Sequence, residues 1–298
     1  MLLPDFNYHK PKSLYEAYKL IDSCSNYALI AGGTDLLVEM KMGKRRHKDL
    51  ISLNNIQELC GISEDEEYVH IGPAVTFRQI QQSEIIKKYI PVLIDAVSKI
   101  GSHQIRNVGT IGGNVCTCAS CADSAPILAA YNAEVEVGSN VGIKRMKLTD
   151  FQLHHHKINI SGSEILTKIL VPKPKPNFYA NFQKFGLRES SSISVASVAV
   201  GIWTDNSLIT DANIVVGACA PTPIKCRNAM KILFNTDIKD LFNGSPLLNE
   251  IAENVSSDIT PIDDIRGSAE YRKELVKTLT KRAVLAALDS YKAKFRTN

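Results

Sequence analysis

The stretch Tyr27-Ala28-Leu29-Ile30-Ala31-Gly32-Gly33-Thr34-Asp35-Leu36 decides the fold. Its first four residues form an apolar run that predicts a buried strand, and the two glycines after it predict a tight turn. A second glycine turn, Thr110-Ile111-Gly112-Gly113-Asn114, precedes a predicted helix start at Asp123–Pro126. Glycines let a backbone approach a ligand closely, and successive N–H groups in such turns form concave anion sites. Two such turns in one globular unit indicate that both sides of a diphosphate are held, so a dinucleotide cofactor is the natural candidate.

The segment around the first turn is predicted to be a strand–helix–strand–helix–strand unit that ends near residue 57. Its first helix opens on Ser13–Glu16, which matches a capping box. The elements that follow are a strand at Tyr27–Ala31, a short helix at Leu36–Lys41 and a strand at Asp49–Leu53. Alternation of this kind indicates a small α/β lobe.

A second lobe is predicted to begin with a strand at Tyr68–Gly72, and Thr76–Gln79 matches another capping box. The stretch Ser102–Asp123, which contains the second glycine turn, is predicted to be irregular. The other elements of this lobe are a helix leading to Gly101, a helix at Ala125–Tyr131, and strands at Ala133–Gly138 and Glu164–Val171.

The three prolines of Pro172–Pro176 predict an extended linker, because they fix the backbone and remove hydrogen-bond donors. Apolar, β-rich runs follow at 178–188, 192–204 and 208–218. Helices are then predicted at Arg227–Phe234, Leu247–Ser256 and Ala269–Lys292. Strands followed by helices indicate an antiparallel α+β lobe.

The composition of the chain is that of a globular protein. Of its 298 residues, 44% are hydrophobic and 22% are charged, and the net charge is only +4. No apolar stretch approaches the ~20 residues that span a bilayer, and the first residues lack a signal-peptide pattern, so we expect a cytoplasmic protein without a membrane partner. The basic run Lys41–Lys48 has no interleaved aromatic residues, which favours a solvated turn over a nucleic-acid site.

Several motifs are absent or incomplete. Neither G-x-G-x-x-G nor G-x-x-x-x-G-K-[ST] occurs, which argues against the common nicotinamide fold and the common NTP-binding loop. Cys116-x-Cys118-x-x-Cys121 lacks a fourth ligand nearby, so reduced thiols are favoured over an iron–sulfur or zinc site. Adjacent side chains diverge, so His154–His156 is interpreted as a surface loop. We therefore expect no metal on this chain, and the residues alone indicate a binder of a diphosphate-containing cofactor.

The same segments carry a resemblance to a known family. Leu29–Leu36 and Gln104–Asn114 resemble the two FAD-binding signatures of the flavoprotein subunit of molybdenum hydroxylases. Lys184–Arg188 resembles the lysine–arginine motif that follows in that family, and Ala220–Ile224 and the helix from Ser268 also fit. The resemblance covers essentially the whole chain, and within the family it points to the FAD-binding subunit of bacterial xanthine dehydrogenases.

The resemblance implies an α+β fold in two domains. Residues 1–175 would form a two-lobed FAD-binding domain of the vanillyl-alcohol-oxidase (PCMH) type, with lobes of about 1–57 and 58–175. Residues 177–298 would form a small CO-dehydrogenase-flavoprotein-like C-terminal domain, in which an antiparallel sheet packs with helices.

The resemblance also implies the FAD-binding residues. One side of the pyrophosphate would be held by the first turn, whose residues are Leu29, Ile30, Ala31, Gly32, Gly33, Thr34, Asp35 and Leu36. The other side would be held by Thr110, Gly113, Asn114 and Thr117. Asp123 would bind a ribose hydroxyl, Ile100 would lie near the adenine, and Leu166 would pack near the isoalloxazine. Lys184 would sit near the flavin ring and tune it, and a structural surface lysine is the alternative.

The implied function is electron transfer within a dimer of heterotrimers. A large molybdopterin-binding subunit would hydroxylate the substrate, and a small subunit with two [2Fe–2S] clusters would relay electrons to FAD in this chain, which would then reduce NAD⁺. The alternatives are the same role in nicotinate, carbon monoxide or aromatic-thioester oxidation, a self-contained PCMH-type flavin reductase, and a scaffold that has lost FAD. The substrate would bind to another chain, so this sequence does not identify it.

Overall fold

The computed structural model describes residues 2–189 and 191–296, which combine helices with four β-sheets. The strands in chain order are β1 (Asn7–His9), β2 (Tyr27–Ile30), β3 (Asp49–Ser52), β4 (Ile62–Glu64), β5 (Tyr68–Ile71), β6 (Glu134–Ser139), β7 (Gly142–Lys147), β8 (Gln152–His154), β9 (Lys157–Ile158), β10 (Ile165–Pro172), β11 (Phe178–Gly186), β12 (Ser194–Asp205), β13 (Leu208–Gly217) and β14 (Ile224–Lys225). The α-helices are α1 (Leu14–Ser23), α2 (Leu36–Lys41), α3 (Phe77–Gln82), α4 (Glu84–Tyr89), α5 (Pro91–Ser98), α6 (His103–Val108), α7 (Ile111–Thr117), α8 (Ser124–Ala130), α9 (Leu148–Phe151), α10 (Arg227–Leu233), α11 (Pro246–Ser257) and α12 (Ala269–Arg296).

These elements form two compact units, each assembled from separate stretches of chain. Unit 1 comprises Met1–Ile90, Gly101–Cys118 and Ala133–Pro172. Unit 2 comprises Pro91–Ile100, Ala119–Asn132 and Lys173–Asn298. The domain division inferred from the sequence stays a prediction.

The first sheet of unit 1 is parallel, with the strand order β1-β3-β2. Side chains alternate between the faces of a strand, so β3 packs against one helix on each of its faces. Ile51 packs with Ala17 of α1 on one face, whereas Leu50 packs with Met40 of α2 on the other. The predicted strand–helix–strand–helix–strand unit is confirmed, with α2 at the predicted residues.

The second sheet of unit 1 is antiparallel, with the strand order β4-β5-β10-β6-β7. β10 lies at its centre and pairs with both β5 and β6. Six of its eight residues are buried, which explains its nearly continuous apolar sequence. The predicted strands Tyr68–Gly72, Ala133–Gly138 and Glu164–Val171 are confirmed to within one residue at each end. β4 was not predicted, because its three residues are too few for a period to show.

The stretch Ser102–Asp123 is not irregular, and that prediction is wrong. It contains α6 and α7, which are only six and seven residues long. Each begins at a hydroxyl cap: the Ser102 Oγ accepts a hydrogen bond from the Ile105 N–H at 3.3 Å, and Thr110 Oγ1 accepts one from the Gly113 N–H at 3.1 Å. The glycines of α7 lower its intrinsic helix propensity, and the hydroxyl cap and tertiary packing compensate for this loss.

Unit 2 is built on the antiparallel sheet β11-β12-β13-β14. Alternate residues of β12, such as Val198 and Val200, join the core formed with α10, α11 and α12. The other face of the sheet contacts α8, where Gly217 lies against Pro126. Because both faces are covered, nine consecutive residues of β12 are buried. The three predicted strands and three predicted helices after the proline-rich segment are confirmed with small shifts at their ends.

None of the helices in the described ranges combines the length and the apolar character needed to cross a bilayer.

Candidate cofactor site

The first glycine turn joins β2 to α2 within unit 1. Gly33 has a φ of +68°, a left-handed conformation in which a side chain is strained. A Cβ on Gly32 would lie 2.2 Å from the carbonyl oxygen of Val108 and 2.9 Å from Cα of Gly109. The turn therefore touches the end of α6, directly before the second glycine turn, and only a glycine at position 32 allows this approach.

The backbone of the first turn carries free donors. Among the described residues, none accepts a hydrogen bond from the N–H groups of Gly32, Gly33 or Thr34. The carbonyls of the same turn are used, since Ala31 accepts from the Asn54 amide and Gly33 accepts from the Leu37 N–H. Consecutive free N–H groups in a tight turn suit an anion such as a phosphate.

The second glycine turn is fixed by backbone contacts. The Ile111 N–H donates to the Val75 carbonyl at 2.9 Å, and the Gly112 N–H donates to the Pro73 carbonyl at 3.0 Å. A Cβ on Gly112 would lie 2.4 Å from Cβ of Pro73, so this glycine is also required for close packing. Thr110 caps α7 through Gly113, as described above, so its hydroxyl accepts within the turn.

Thr117 and Asp35, which the sequence assigned to the same site, also meet in unit 1. Burial and the nearby Glu39 raise the pKa of Asp35, while His156 and a hydrogen bond from the Thr117 side chain act in the opposite direction. The Nδ1 atom of His156 lies 2.7 Å from the Thr117 carbonyl oxygen. The carboxylate of the first turn and the end of α7 are thus neighbours.

The histidine triplet forms the exposed end of β8 and the turn after it, so the predicted surface loop is confirmed. The His156 N–H donates to the Cys118 carbonyl at 3.0 Å, and the Cys118 thiol donates to the His154 carbonyl. The loop therefore forms hydrogen bonds with the Cys118 carbonyl and thiol at the end of α7. Cys118 itself adopts a left-handed conformation with a φ of +48°, which ends that helix.

Leu166, the residue assigned to the isoalloxazine, lies near the start of β10 and is buried. It pairs with Val137 of β6, and the chain has a register irregularity between Leu166 and Lys168. The structure places it in the second sheet of unit 1.

The remaining predicted site residues, Ile100, Asp123 and Lys184, lie in unit 2. The Lys184 Nζ is 2.5 Å from Oδ2 of Asp123 and also donates to the carbonyl of Lys99, which precedes Ile100. The Ser194 hydroxyl donates to the other carboxylate oxygen of Asp123. These three predicted residues are therefore brought together, in the segment around α8 and β11.

The pair of Asp123 and Lys184 is almost completely withdrawn from water. The exposed fractions of the two side chains are 7% for Lys184 and 4% for Asp123, so the alternative of a surface lysine is wrong. Burial raises the pKa of Asp123, whereas Lys184 and Ser194 oppose that shift by stabilising the carboxylate. A charge in this environment depends on its partners, because desolvation without pairing is costly.

The cysteines of the predicted C-x-C-x-x-C cluster are divided between the two units. Cys116 and Cys118 belong to unit 1 and Cys121 belongs to unit 2. Burial raises the pKa of all three thiols, and that of Cys116 rises to about 12. They are protonated at neutral pH, which is the state expected of ordinary buried thiols.

Comparison with known proteins identifies the family. Residues 4–174 match the FAD binding domain in molybdopterin dehydrogenase, and residues 181–287 match the CO dehydrogenase flavoprotein C-terminal domain. The chain belongs to the FAD-binding medium subunits of the molybdenum hydroxylase family. It is 32% identical over 284 residues to the xanthine dehydrogenase FAD-binding subunit of Escherichia coli O157:H7, a match that covers 95% of this chain and 96% of that subunit. It is 33% identical over 291 residues to the nicotine 6-hydroxylase medium subunit of Paenarthrobacter nicotinovorans, covering 96% and 99% of the two chains.

A solved structure of the same family has the same fold. The structure of carbon monoxide dehydrogenase from Hydrogenophaga pseudoflava, in a form that lacks the Mo-pyranopterin moiety of the molybdenum cofactor, contains a chain with a TM-score of 0.92 and 27% identity to this medium subunit. The match covers 97% of this chain and 99% of that one. The predicted fold class, an α+β FAD-binding domain followed by a small α+β C-terminal domain, is thereby confirmed.

The residues of this medium subunit fit FAD. Unit 1 offers three consecutive free N–H groups to the diphosphate. One of them belongs to Gly32, which lies so close to Val108 that a Cβ would clash. Unit 2 offers a buried carboxylate, and carboxylates accept hydrogen bonds from ribose hydroxyls. Both features are of the kind that a dinucleotide cofactor needs.

Sequence reasoning missed two contributors to these sites. Ser194 holds the carboxylate of Asp123 from 71 residues away, and no motif links the two positions. His156 contacts the end of α7, although the triplet was assigned only to a surface loop. The contact between His156 and Thr117 gives no signal in the sequence, because it depends on the turn between the paired strands β8 and β9.

Proposed function

We propose that this medium subunit is the FAD-binding, electron-transferring subunit of a xanthine dehydrogenase-type molybdenum hydroxylase, and that it passes electrons to NAD⁺. The observation that carries the FAD site is the first glycine turn, with its free N–H groups and its contact with the segment before the second turn. Support for the xanthine type comes from the identity over nearly the full length of a xanthine dehydrogenase subunit.

The residues of unit 1 would bind the diphosphate of FAD. The segment Leu29 to Leu36 would hold one side of the diphosphate, with the free N–H groups of Gly32, Gly33 and Thr34 as donors to phosphate oxygens. The second turn would add Thr110, Gly113, Asn114 and Thr117. Leu166 would pack against the isoalloxazine. Glycine at position 32 keeps the two turns close enough to hold one diphosphate between them, since a larger residue would push Val108 away.

The residues of unit 2 would orient the nucleoside and the flavin. Asp123 would accept a hydrogen bond from a ribose hydroxyl, and Ile100 would lie near the adenine. Lys184 would act as a positioning residue for Asp123 and keep a positive charge beside the flavin ring, because its Nζ is held by both Asp123 and the Lys99 carbonyl. FAD, when bound, supplies the exchange between single-electron and hydride transfer.

The partners of this chain would be a molybdopterin-binding large subunit and a small subunit with two [2Fe–2S] clusters, in a dimer of heterotrimers. The relatives support partners of this kind, since they are named as subunits or medium chains of larger enzymes. Substrate hydroxylation would take place on the large subunit, and electrons would reach this chain from the small subunit. We further propose that the chain works in the cytoplasm and that residues 1–175 and 177–298 are its two domains.

A second candidate is the same role with another substrate. Identity to the nicotine 6-hydroxylase subunit is 33%, against 32% to the xanthine dehydrogenase subunit, and a carbon monoxide dehydrogenase medium chain of Afipia carboxidovorans is 27% identical. The substrate would be chosen by the large subunit, so the fold and the FAD site are compatible with each of these reactions.

The deciding experiment reconstitutes the medium subunit with its own large and small subunits and follows NADH formation with xanthine, nicotinate and carbon monoxide as substrates. We expect NADH with xanthine alone, and none from the medium subunit by itself. Turnover with nicotinate or carbon monoxide instead of xanthine would contradict the xanthine dehydrogenase assignment and support the second candidate. A purified medium subunit that reduces a substrate without partners would support the self-contained flavin reductase.

The electron acceptor is tested separately on the purified medium subunit. Anaerobic NADH should bleach the visible flavin absorption if hydride transfer occurs at this chain. The Gly32→Ala variant provides a control, since it should hold little FAD. A flavin that stays oxidised with NADH but is bleached by dithionite would exclude NAD⁺ as the acceptor while leaving the FAD site intact.

A further inference from the structure

A second polar cluster lies in unit 1, away from the first glycine turn. Asp49 begins β3 and is in register with Asn7 of β1 and Tyr27 of β2. The first glycine turn follows the other end of β2, after Ile30. Because β1, β2 and β3 are parallel, the carboxylate of Asp49 stands at the amino end of β3, opposite to the end that carries the turn.

Three different metal-ligating side chains meet at this end of the sheet. A ring nitrogen of His9, the Cys24 thiol and a carboxylate oxygen of Asp49 all lie within 4.8 Å of one another. His9 comes from β1, Cys24 caps the C-terminus of α1, and Asp49 comes from β3. No other group of three such side chains meets this spacing in the described part of the chain.

The cluster is ordered by hydrogen bonds and partly shielded from water. Nε2 of His9 lies 2.8 Å from Oδ1 of Asp49, and the side chains are 29% and 16% exposed. The Asn7 amide donates to the same carboxylate oxygen at 3.0 Å. An amide that orients a carboxylate in this way is the arrangement that fixes ligands around bound metals.

The electrostatics of this end of α1 favour a cation. The last turn of this ten-residue helix contains Asp22 and no basic residue, and its terminal carbonyls carry partial negative charge. Asp49 adds a second carboxylate close to the helix end, and Lys48 is the neighbouring cation. A bound divalent ion would therefore lie beside a carboxylate and a helix C-terminus, both of which favour positive charge.

We propose that His9, Cys24 and Asp49 form a binding site for a divalent cation of the zinc class. Nitrogen, thiolate and carboxylate ligands are those that zinc accepts, and three protein ligands leave a fourth tetrahedral position for water. With metal–ligand bonds of about 2.0–2.3 Å, tetrahedral ligands stand roughly 3.3–3.8 Å apart, so shifts of about 1 Å bring the three atoms into place. Binding releases the thiol proton of Cys24 to solvent, while the neutral ring of His9 carries its proton on the nitrogen that does not bind the metal.

The site is independent of FAD. It lies at the opposite end of β2 from the glycine turn and shares no residue with the proposed cofactor site. A cation there would tie the C-terminus of α1 to β1 and β3, and it would stabilise this edge of unit 1 rather than take part in electron transfer.

The test titrates the full-length, EDTA-treated medium subunit with cobalt(II) and zinc(II) alone. Cobalt bound to a thiolate produces an intense near-ultraviolet charge-transfer absorption, which zinc should then displace. We expect this absorption at one equivalent of cobalt, its loss in Cys24→Ser and His9→Gln, and at least about a tenfold weaker affinity in Asn7→Ala. The control Cys60→Ser removes an exposed thiol outside the cluster and should leave the titration unchanged.

The circular dichroism spectrum and FAD content of each variant establish that it is folded. A folded parent without the thiolate absorption would overturn the proposal. So would an absorption that survives in folded Cys24→Ser, because the ligand would then be another thiol, such as one of Cys116, Cys118 and Cys121.

Discussion

Replacing Lys184 with methionine should leave the Asp123 carboxylate buried without its cation. Methionine keeps most of the apolar stem of the lysine, so the change removes the charge with little loss of packing. Lys184 and Asp123 are 7% and 4% exposed, and their charged atoms are 2.5 Å apart. Breaking a buried pair from one side costs about 3–5 kcal/mol in free energy of unfolding. Ser194 still donates to Asp123, which places the expected loss toward the lower end of that range.

The loss should depend on pH. Burial already raises the pKa of Asp123 above its ordinary value of 3.8, and removal of Lys184 takes away the main influence that lowers it. A carboxyl whose pKa is raised in the folded state stabilises the fold below the unfolded pKa, and that contribution disappears as the pH rises through the folded value. The difference in stability between parent and Lys184→Met should therefore be small near pH 4 and should grow toward neutral pH.

The assay is urea unfolding of the FAD-free medium subunit at a series of pH values. The double variant Lys184→Met/Asp123→Asn removes the stranded charge and should recover most of the lost stability at neutral pH. Lys239→Met serves as the control in unit 2, because it breaks an ion pair whose lysine is 76% exposed and should leave the urea midpoint near that of the parent. An equal loss at all pH values, or no recovery in the double variant, would refute the reasoning.

Three further changes have defined outcomes. Gly32→Ala places a Cβ 2.2 Å from the Val108 carbonyl oxygen, so it should lower stability by about 1–3 kcal/mol and reduce FAD retention on a desalting column, whereas Gly162→Ala, with its nearest neighbour at 4.0 Å, should do neither. Arg272→Met removes a buried guanidinium that donates to two backbone carbonyls, and a buried carbonyl without its donor costs about 1–3 kcal/mol, so urea titration should show a loss of about 2–6 kcal/mol, and an unchanged midpoint would contradict this. Burial raises the pKa of Cys116 to about 12, so alkylation by iodoacetamide near pH 8, followed by mass spectrometry, should be roughly a thousand times slower than for the urea-unfolded chain.

The elements around the first turn could be predicted because their signals are local. An apolar run, two glycines and a short helical pattern placed α2 at the residues the structure shows. Thr76 and Gln79 form the predicted capping box in full. The predicted capping box at Ser13 is incomplete. Ser13 caps the helix, but the Glu16 carboxylate accepts a hydrogen bond from the Lys12 N–H and not from the Ser13 N–H.

The two short helices after Ser102 could not be predicted from periodicity. Six or seven residues span less than two turns, and two glycines in α7 weaken the intrinsic helical preference. Their available signals were the hydroxyl caps, Ser102 and Thr110. Backbone bonds from Ile111 and Gly112 to residues near β5, and the packing of Gly112 on Pro73, supply the stability that the local sequence lacks.

The ion pairs and hydrogen bonds within the sites could not be predicted from the sequence either. Asp123 and Lys184 were each named, but for separate contacts with a cofactor, and their ion pair spans 61 residues. Ser194 was not named, since a serine before an apolar strand is common. Contacts of this kind follow from strand register and helix placement, and no period or motif in one sequence encodes them.

The most direct test of the central claim is the flavin content of the purified medium subunit. Its visible absorption spectrum should be that of a flavoprotein, and chromatography of the material released by heat should give FAD at one molecule per chain. A subunit that stays colourless and fails to bind added FAD, while its circular dichroism spectrum is that of a folded protein, would contradict the assignment of the two glycine turns to the cofactor.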